Sequence, residues 1–119
     1  VVGCGYLGER LARRWLDRGD RVVAVTRSPA RAETLAAAGI EPLILDVTAD
    51  SPGWERLLAE SAPGVATIFW AVGFDRSAGA SYHAVHVAGL EKLLAAAHAG
   101  GSRPRVIFSS STGVWGDER

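Results

Sequence analysis

The stretch Val1-Val2-Gly3-Cys4-Gly5-Tyr6-Leu7-Gly8 decides the fold. Two β-branched residues read as the end of a strand, and residues 3–8 fit the pattern G-x-G-x-x-G. In that pattern the first glycine makes a tight turn, the second lets backbone approach a pyrophosphate, and the third lets helix and strand pack closely. A phosphate at the turn gains from the free N–H groups and the positive end of the helix that follows. The spacing alone is weak. Here it follows a strand, opens a periodic helix and leads to a second strand, which favours a dinucleotide site over a bare tight turn. Cys4 occupies a variable position of the motif, where a small side chain is tolerated and no redox role is expected.

Outward from the motif, short apolar strands alternate with amphipathic helices. Leu7, Leu11, Trp15 and Leu16 recur at helical spacing, with Arg10, Arg13, Arg14 and Arg18 between them. Gly19-Asp20 ends that helix, and Arg21–Thr26 is a buried parallel strand by composition. Ser28-Pro29 reads as an N-cap followed by proline at the first helical position, with a helix to about Ala38 and Gly39 as its stop. A third strand lies at Leu43–Leu45, a short helix at Trp54–Glu60, again entered through Ser-Pro, and a fourth strand at Val65–Val72. A long helix is predicted over Ser81–Ala99, with Val85, Leu90, Leu93, Leu94 and Ala97 on its apolar face. Arg105–Phe108 opens a fifth strand, and Ser109–Gly116 is a polar, Gly-containing loop.

This alternation predicts an α/β fold: a Rossmann-like, doubly wound parallel sheet in a three-layer αβα arrangement. Ligands of such sheets sit at the carboxyl ends of the strands. Those ends carry Gly3–Gly8, Thr26–Ser28, Asp46-Val47, Ala71–Asp75 and Ser109–Thr112, all on one edge.

Composition narrows the function. The 119 residues suffice for one domain. Thirteen basic and thirteen acidic residues give zero net charge, against a nucleic-acid or anionic-membrane surface as the main role. Hydrophobic residues at 48% and charged residues at 22% fit a globular chain and not a disordered one. A single cysteine rules out a disulfide framework or a cysteine-built zinc site and is compatible with a cytoplasmic location. No apolar run is long enough to span a membrane. The chain opens on Val1, directly into the motif, and stops at Asp117-Glu118-Arg119. Both ends read as cut, so an incomplete sheet and a piece of a longer protein are expected.

The second strand ends Val25-Thr26-Arg27-Ser28. An NAD site usually has Asp or Glu here for the ribose 2′-hydroxyl, and a carboxylate would repel a 2′-phosphate. Thr26 is uncharged and Arg27 offers a fork that suits a phosphate, which favours NADP over NAD, the plainer alternative being a solvated surface arginine. Asp46 could accept from an adenine amino group with Val47 packed on the ring, or it could cap the next turn. Ala71, Val72 and Gly73 are small enough to leave room for a cofactor backbone, or form a simple turn. His83 and His86 share a helix face without a carboxylate at ligand spacing, so a polar helix edge is expected and no metal site. The tryptophans read as packing residues.

Three segments together resemble the extended short-chain dehydrogenase/reductases, the group of the nucleoside-diphosphate-sugar epimerases and dehydratases. They are Gly3–Gly8, the Asp46 step and, most specific, Phe108-Ser109-Ser110-Ser111-Thr112-Gly113-Val114-Trp115-Gly116, which is similar to the family's Ser-Ser-Ser-x-x-Val-Tyr-Gly with Trp115 for tyrosine. The resemblance spans the whole chain but only the amino-terminal part of the family's usual length. It implies hydride transfer to or from a nicotinamide, a tyrosine general acid/base assisted by a lysine four residues on, and a serine or threonine bonded to the reacting oxygen. Ser111 takes that last role, with Thr112 as neighbour, since a hydroxyl donates to a developing alkoxide. A Ser-rich turn capping the strand is the structural alternative.

The sequence departs from the pattern at four places. The glycine motif is not the commoner Thr-Gly-x-x-Gly-x-x-Gly. His86-Val87 stands where Asn-Val is frequent, and Trp115 replaces a tyrosine. No Tyr-x-x-x-Lys occurs, because the single lysine is Lys92 and residues four beyond Tyr6 and Tyr82 are Arg10 and His86.

The expectation is therefore an NAD(P)-binding Rossmann domain over 1–119, part of an NADP-dependent epimerase/dehydratase-like oxidoreductase. It would act on a nucleotide sugar or a small carbonyl or alcohol. Gly3, Gly5, Tyr6, Leu7, Gly8, Thr26, Arg27, Ser28, Asp46, Val47, Ala71, Val72 and Gly73 would line the cofactor, and Ser111 and Thr112 the reacting centre. A small-molecule substrate is expected, with no nucleic acid or membrane, and a homodimer is compatible. The rival is a non-catalytic NADP-sensing protein on the same fold.

Overall fold

The computed structural model describes residues 1–48, 51–60, 64–73, 77 and 79–109. In chain order the elements are α1 (Tyr6–Asp17), β1 (Val23–Thr26), α2 (Pro29–Ala37), β2 (Glu41–Ile44), α3 (Ser51–Glu60), β3 (Thr67–Trp70), a π-helical segment (Ala84–Ala88) running into α4 (Gly89–Ala99), and β4 (Arg105–Phe108).

All pairing is parallel: β1 with β2 from Val23↔Glu41 to Thr26↔Ile44, and β3 with β4 from Thr67↔Arg105 to Trp70↔Phe108. Val2 joins the two pairs, bridging Val25 on one side and Trp70 on the other. Its N–H donates to the Phe69 carbonyl at 2.9 Å, the Ala71 N–H donates to the Val2 carbonyl at 2.8 Å, and the Val25 N–H donates to the Val1 carbonyl at 2.8 Å. Spatial order is thus β2-β1-Val2-β3-β4. The chain winds outward in one direction and then the other, which is the doubly wound arrangement, and Val2 sits at its centre.

Alternation along the strands feeds two cores, one per face. Ala24, Cys4, Ala12, Leu35 and Ile40 pack under α1 and α2, while Val2, Val25, Ile68, Trp70, Trp54 and Leu93 pack under α3 and α4. Phe69 points to the α1 face and meets Trp15 edge-on at 6.5 Å. Trp54 and Trp70 are fully buried, and Trp15 is half-buried. The result is the expected three-layer αβα Rossmann-like sheet.

Several boundaries and faces differ from expectation. The strand expected over 65–72 is four residues long because its partner β4 begins only at Arg105, whose N–H reaches the Ala66 carbonyl. The apolar stripe expected on α1 reaches the core through Trp15 and Leu16 but not through Leu7. Gly8 and Ala12 are buried, because the helix lies close on the sheet, whereas Leu7 is 50% exposed. The long helix over 81–99 carries a π turn that spacing did not reveal. Ser28 caps α2 as expected, its Oγ accepting from the Arg31 N–H at 3.2 Å, and Gly39 ends the helix region in the left-handed conformation.

Candidate functional site

The glycine turn leaves the sheet between β1 and β3, and each of its glycines meets a different constraint. Gly3 has φ +85°, and a Cβ there would lie 2.6 Å from the Val72 N and Cα. Gly8 lies in α1 against the Gly3 carbonyl oxygen, so an added Cβ would collide with backbone. Gly5 has φ −81° at the N-cap of α1, and a Cβ on it would meet no protein atom within 4 Å. The first and third glycines are required by the protein itself. The second borders open space, as it must if a ligand backbone is to come close.

That space is a cleft of about 830 Å³. The structure brings every expected cofactor residue except Gly8 to its wall: Gly3, Gly5, Tyr6 and Leu7 from the turn, Thr26, Arg27 and Ser28 after β1, Asp46 and Val47 after β2, and Ala71, Val72 and Gly73 after β3. Gly8 supports the turn from beneath. Tyr6 and Leu7 are exposed, and the Arg10 guanidinium lies 4.6 Å from the Tyr6 ring centre. The Thr26 hydroxyl accepts from the Ser28 N–H at 3.2 Å. Ser111 and Thr112 lie outside the described residues, as does the rest of the Ser110–Gly116 segment. Ser109 is placed: its N–H donates to the Trp70 carbonyl at 2.9 Å, extending β4 to the same edge.

Of the two roles open to Asp46, the turn-capping geometry is present. Its Oδ1 accepts from the Thr48 N–H at 2.8 Å and the Thr48 hydroxyl at 2.6 Å. These bonds, with a smaller contribution from nearby Arg27, hold its carboxyl below the usual range. Val47 is mostly core, only 7% exposed. Burial pushes the Cys4 thiol up, so it stays protonated and unreactive.

Two residues escaped sequence reasoning. Arg31 lines the cleft, and its Nη2 donates to the Cys4 carbonyl at 2.7 Å and to Glu9 Oε2 at 2.6 Å. Arg27 precedes the N-cap Ser28 and Arg31 lies in the first turn of α2, so no helical spacing links them and no local signal singled Arg31 out. His86 is not on a plain polar edge. Its Nδ1 accepts from the Trp70 indole at 3.4 Å, and its ring sits 4.5 Å from Tyr82 and 6.0 Å from Phe108. Burial lowers its pKa, keeping it neutral. The π turn that carries it is a feature frequent near functional sites. Among the described residues no group of three or more His, Cys, Asp or Glu could hold a metal ion, and no helix is long and apolar enough to cross a membrane.

The chain is similar to known proteins in sequence and in fold. The chain is 30% identical over 119 residues to the 4-hydroxy-2-methyl-3-oxo-4-farnesyl-3,4-dihydroquinoline-1-oxide ketoreductase of Stigmatella aurantiaca, covering 98% of this chain and 34% of that protein. Among solved structures, the TT0495 protein of Thermus thermophilus matches with a TM-score of 0.71 and 25% identity, over 98% of this chain and 54% of the other. A second structure of the Thermus thermophilus TT0495 protein matches at 0.64 and 26%, over 91% and 53%. The chain thus spans about a third of the curated relative and about half of the solved ones. The model of one family, described as the NAD dependent epimerase/dehydratase family, matches residues 1–119. On that match over its whole length, the chain belongs to the NAD dependent epimerase/dehydratase family.

Proposed function

We propose that the chain is the cofactor-binding part of an NADP-dependent oxidoreductase that moves a hydride between a nicotinamide and a carbonyl or alcohol substrate. The observation that carries the reading is the division of labour among the three glycines: two locked by backbone contact, one open to the cleft. The cleft residues suit a dinucleotide. The N–H groups at the start of α1 would take the diphosphate, Arg27 the 2′-phosphate, and Asp46 and Val47 the adenine, with Asp46 keeping Oδ1 on Thr48. Ala71, Val72 and Gly73 would leave room for the cofactor backbone. Ser111, with Thr112 beside it in the sequence, would donate to the substrate oxygen.

The ketoreductase relative supports carbonyl chemistry, and the family supports a nicotinamide. Nucleotide sugars and small carbonyl or alcohol compounds are the substrate classes to try. A non-catalytic NADP sensor is the second reading; a full-length chain without a Tyr-x-x-x-Lys would favour it, and one with that motif would favour the enzyme.

Calorimetric titration of the full-length protein tests the cofactor. NADPH should bind more tightly than NADH, and Arg27→Ala should weaken NADPH while leaving NADH nearly unchanged. Equal affinities in the unsubstituted protein would remove the Arg27 assignment. Following nicotinamide absorbance with a panel of both substrate classes separates enzyme from sensor, since binding without turnover across the panel favours the sensor.

A further inference from the structure

We infer that Arg31 is a positioning residue for the glycine turn, acting on the diphosphate end of the site and not on the 2′-phosphate. The inference rests on reading the cleft as a dinucleotide site.

One nitrogen of Arg31 does two things. Nη2 carries two hydrogens, and it donates to the Cys4 carbonyl at 2.7 Å and to Glu9 Oε2 at 2.6 Å. Cys4 stands between the first two glycines, so its carbonyl belongs to the same peptide unit as the Gly5 N–H. That unit is planar and trans, with its C=O and N–H on opposite sides. Pinning the carbonyl towards α2 therefore fixes the direction of the Gly5 N–H at the N-cap of α1. Gly5 itself brings no side-chain contact to hold that plane, since even a Cβ would touch nothing.

The second bond addresses charge. Glu9 is the acidic residue in the first turn of α1. A carboxylate there favours the helix dipole but repels an incoming diphosphate. Both of its oxygens are engaged: Oε1 accepts from Arg13 Nε at 3.0 Å and Nη2 at 2.8 Å, and Oε2 accepts from Arg31. Hydrogen bonds from these guanidinium groups hold the Glu9 carboxyl below the usual carboxylate range. Two cations against one anion leave the cluster net positive beside the turn. Arg13 is an i,i+4 partner on the same helix, whereas Arg31 comes from α2 and ties α2 to the turn.

The full-length protein titrated with NADPH and with NADH tests this. Arg31→Gln should weaken both by about tenfold, the worth of one charge-assisted hydrogen bond, and leave their ratio unchanged. Glu9→Gln/Arg31→Gln should recover part of the loss, because the stranded carboxylate is gone. Glu9→Gln alone keeps the Cys4 bond, and both affinities should match or exceed those of the unsubstituted protein. This variant carries the test if Arg31→Gln does not fold, and weaker binding by it would overturn the charge argument. A loss confined to NADPH would overturn the inference and make Arg31 a 2′-phosphate ligand. No change in either affinity on Arg31→Gln would overturn it and leave the cleft reading intact. An unsubstituted protein that binds neither dinucleotide would remove the cleft reading, and the inference with it.

Discussion

Three substitutions in the glycine turn should separate folding from binding. Gly3→Ala places an L side chain at φ +85°, which costs roughly 1–2 kcal/mol, and its Cβ would sit 2.6 Å from the Val72 N and Cα. Crowding of that kind costs roughly a further 1–3 kcal/mol. The sum, about 2–5 kcal/mol, is a large share of a domain's stability. Gly8→Ala collides with the Gly3 carbonyl and comes within 3.1 Å of Val1 Cγ1, while gaining helix propensity. With that gain of about 1 kcal/mol set against the crowding, the net loss is about 0–2 kcal/mol. Gly5→Val has an ordinary φ of −81° and free space around it, so its cost is the poorer N-cap, about 1 kcal/mol. Its effect falls on the ligand. Losing two backbone hydrogen bonds to a charged diphosphate should weaken both cofactors at least about 100-fold. Urea unfolding and calorimetric titration on full-length protein give both numbers for each variant. Folded Gly5→Val that binds NADPH normally would refute the fingerprint, and Gly3→Ala of unchanged stability would refute the steric account.

Ser111→Ala should lower kcat by about 100- to 1000-fold, as expected for one donor to a developing oxyanion, with NADPH affinity unchanged by titration. His86→Gln should make stability less sensitive to acid. Burial keeps native His86 below its ordinary pKa, so as pH falls below about 6.5 the unfolded chain takes up the proton first and stability declines; urea unfolding at several pH values between about 7.5 and 5 reads the change. Residues 1–119 alone should show no turnover by nicotinamide absorbance, because neither Tyr6 nor Tyr82 has a lysine four residues on to stabilise a phenolate.

What could be read in the sequence was what depends on near neighbours. Ser28-Pro29 caps α2 because the cap bond spans only three residues, to Arg31. The strand-and-helix order followed from period, and the doubly wound sheet followed from the order. Contacts between distant segments were not legible. Arg31 reaches Cys4 across 27 positions and Glu9 across 22, and nothing local marks it out from the other arginines. The π turn has the same composition as an ordinary helix, and only the position of His86 against Trp70, sixteen residues earlier, shows its consequence. Leu7 fitted the helical stripe yet is exposed, whereas Trp15 and Leu16 of the same stripe pack on the core beside Ala12, so the periodicity marked the right helix and misplaced only its first turn.

The molecule has a second cleft, of about 560 Å³, at the amino ends of the strands, walled by Val1, Val23, Val65, Ile68 and Leu93 among others. Electrostatics decides between the two. In a parallel sheet each helix begins shortly after a strand's carboxyl end, so the free N–H groups of successive helices gather on one edge. Here α1 starts at Tyr6 after Val2, α2 at Pro29 after Thr26, and α3 at Ser51 after Ile44. The carboxyl ends of α1 and α2 lie on the other edge, and each such end carries partial negative charge. Side-chain charge does not separate the clefts, since Arg18, Arg21 and Arg105 with Asp20 line the amino-end one; the helix ends do. Among the described residues, Asp46 is the one acid lining the carboxyl-edge cleft, opposite Arg27 and Arg31. A diphosphate carries its charge into whichever cleft it enters, and the carboxyl edge is the one that meets it with helix N–H donors backed by cations. The amino-end cleft is also the smaller, about 560 Å³ against about 830 Å³, so on both counts a dinucleotide would be expected at the glycine turn.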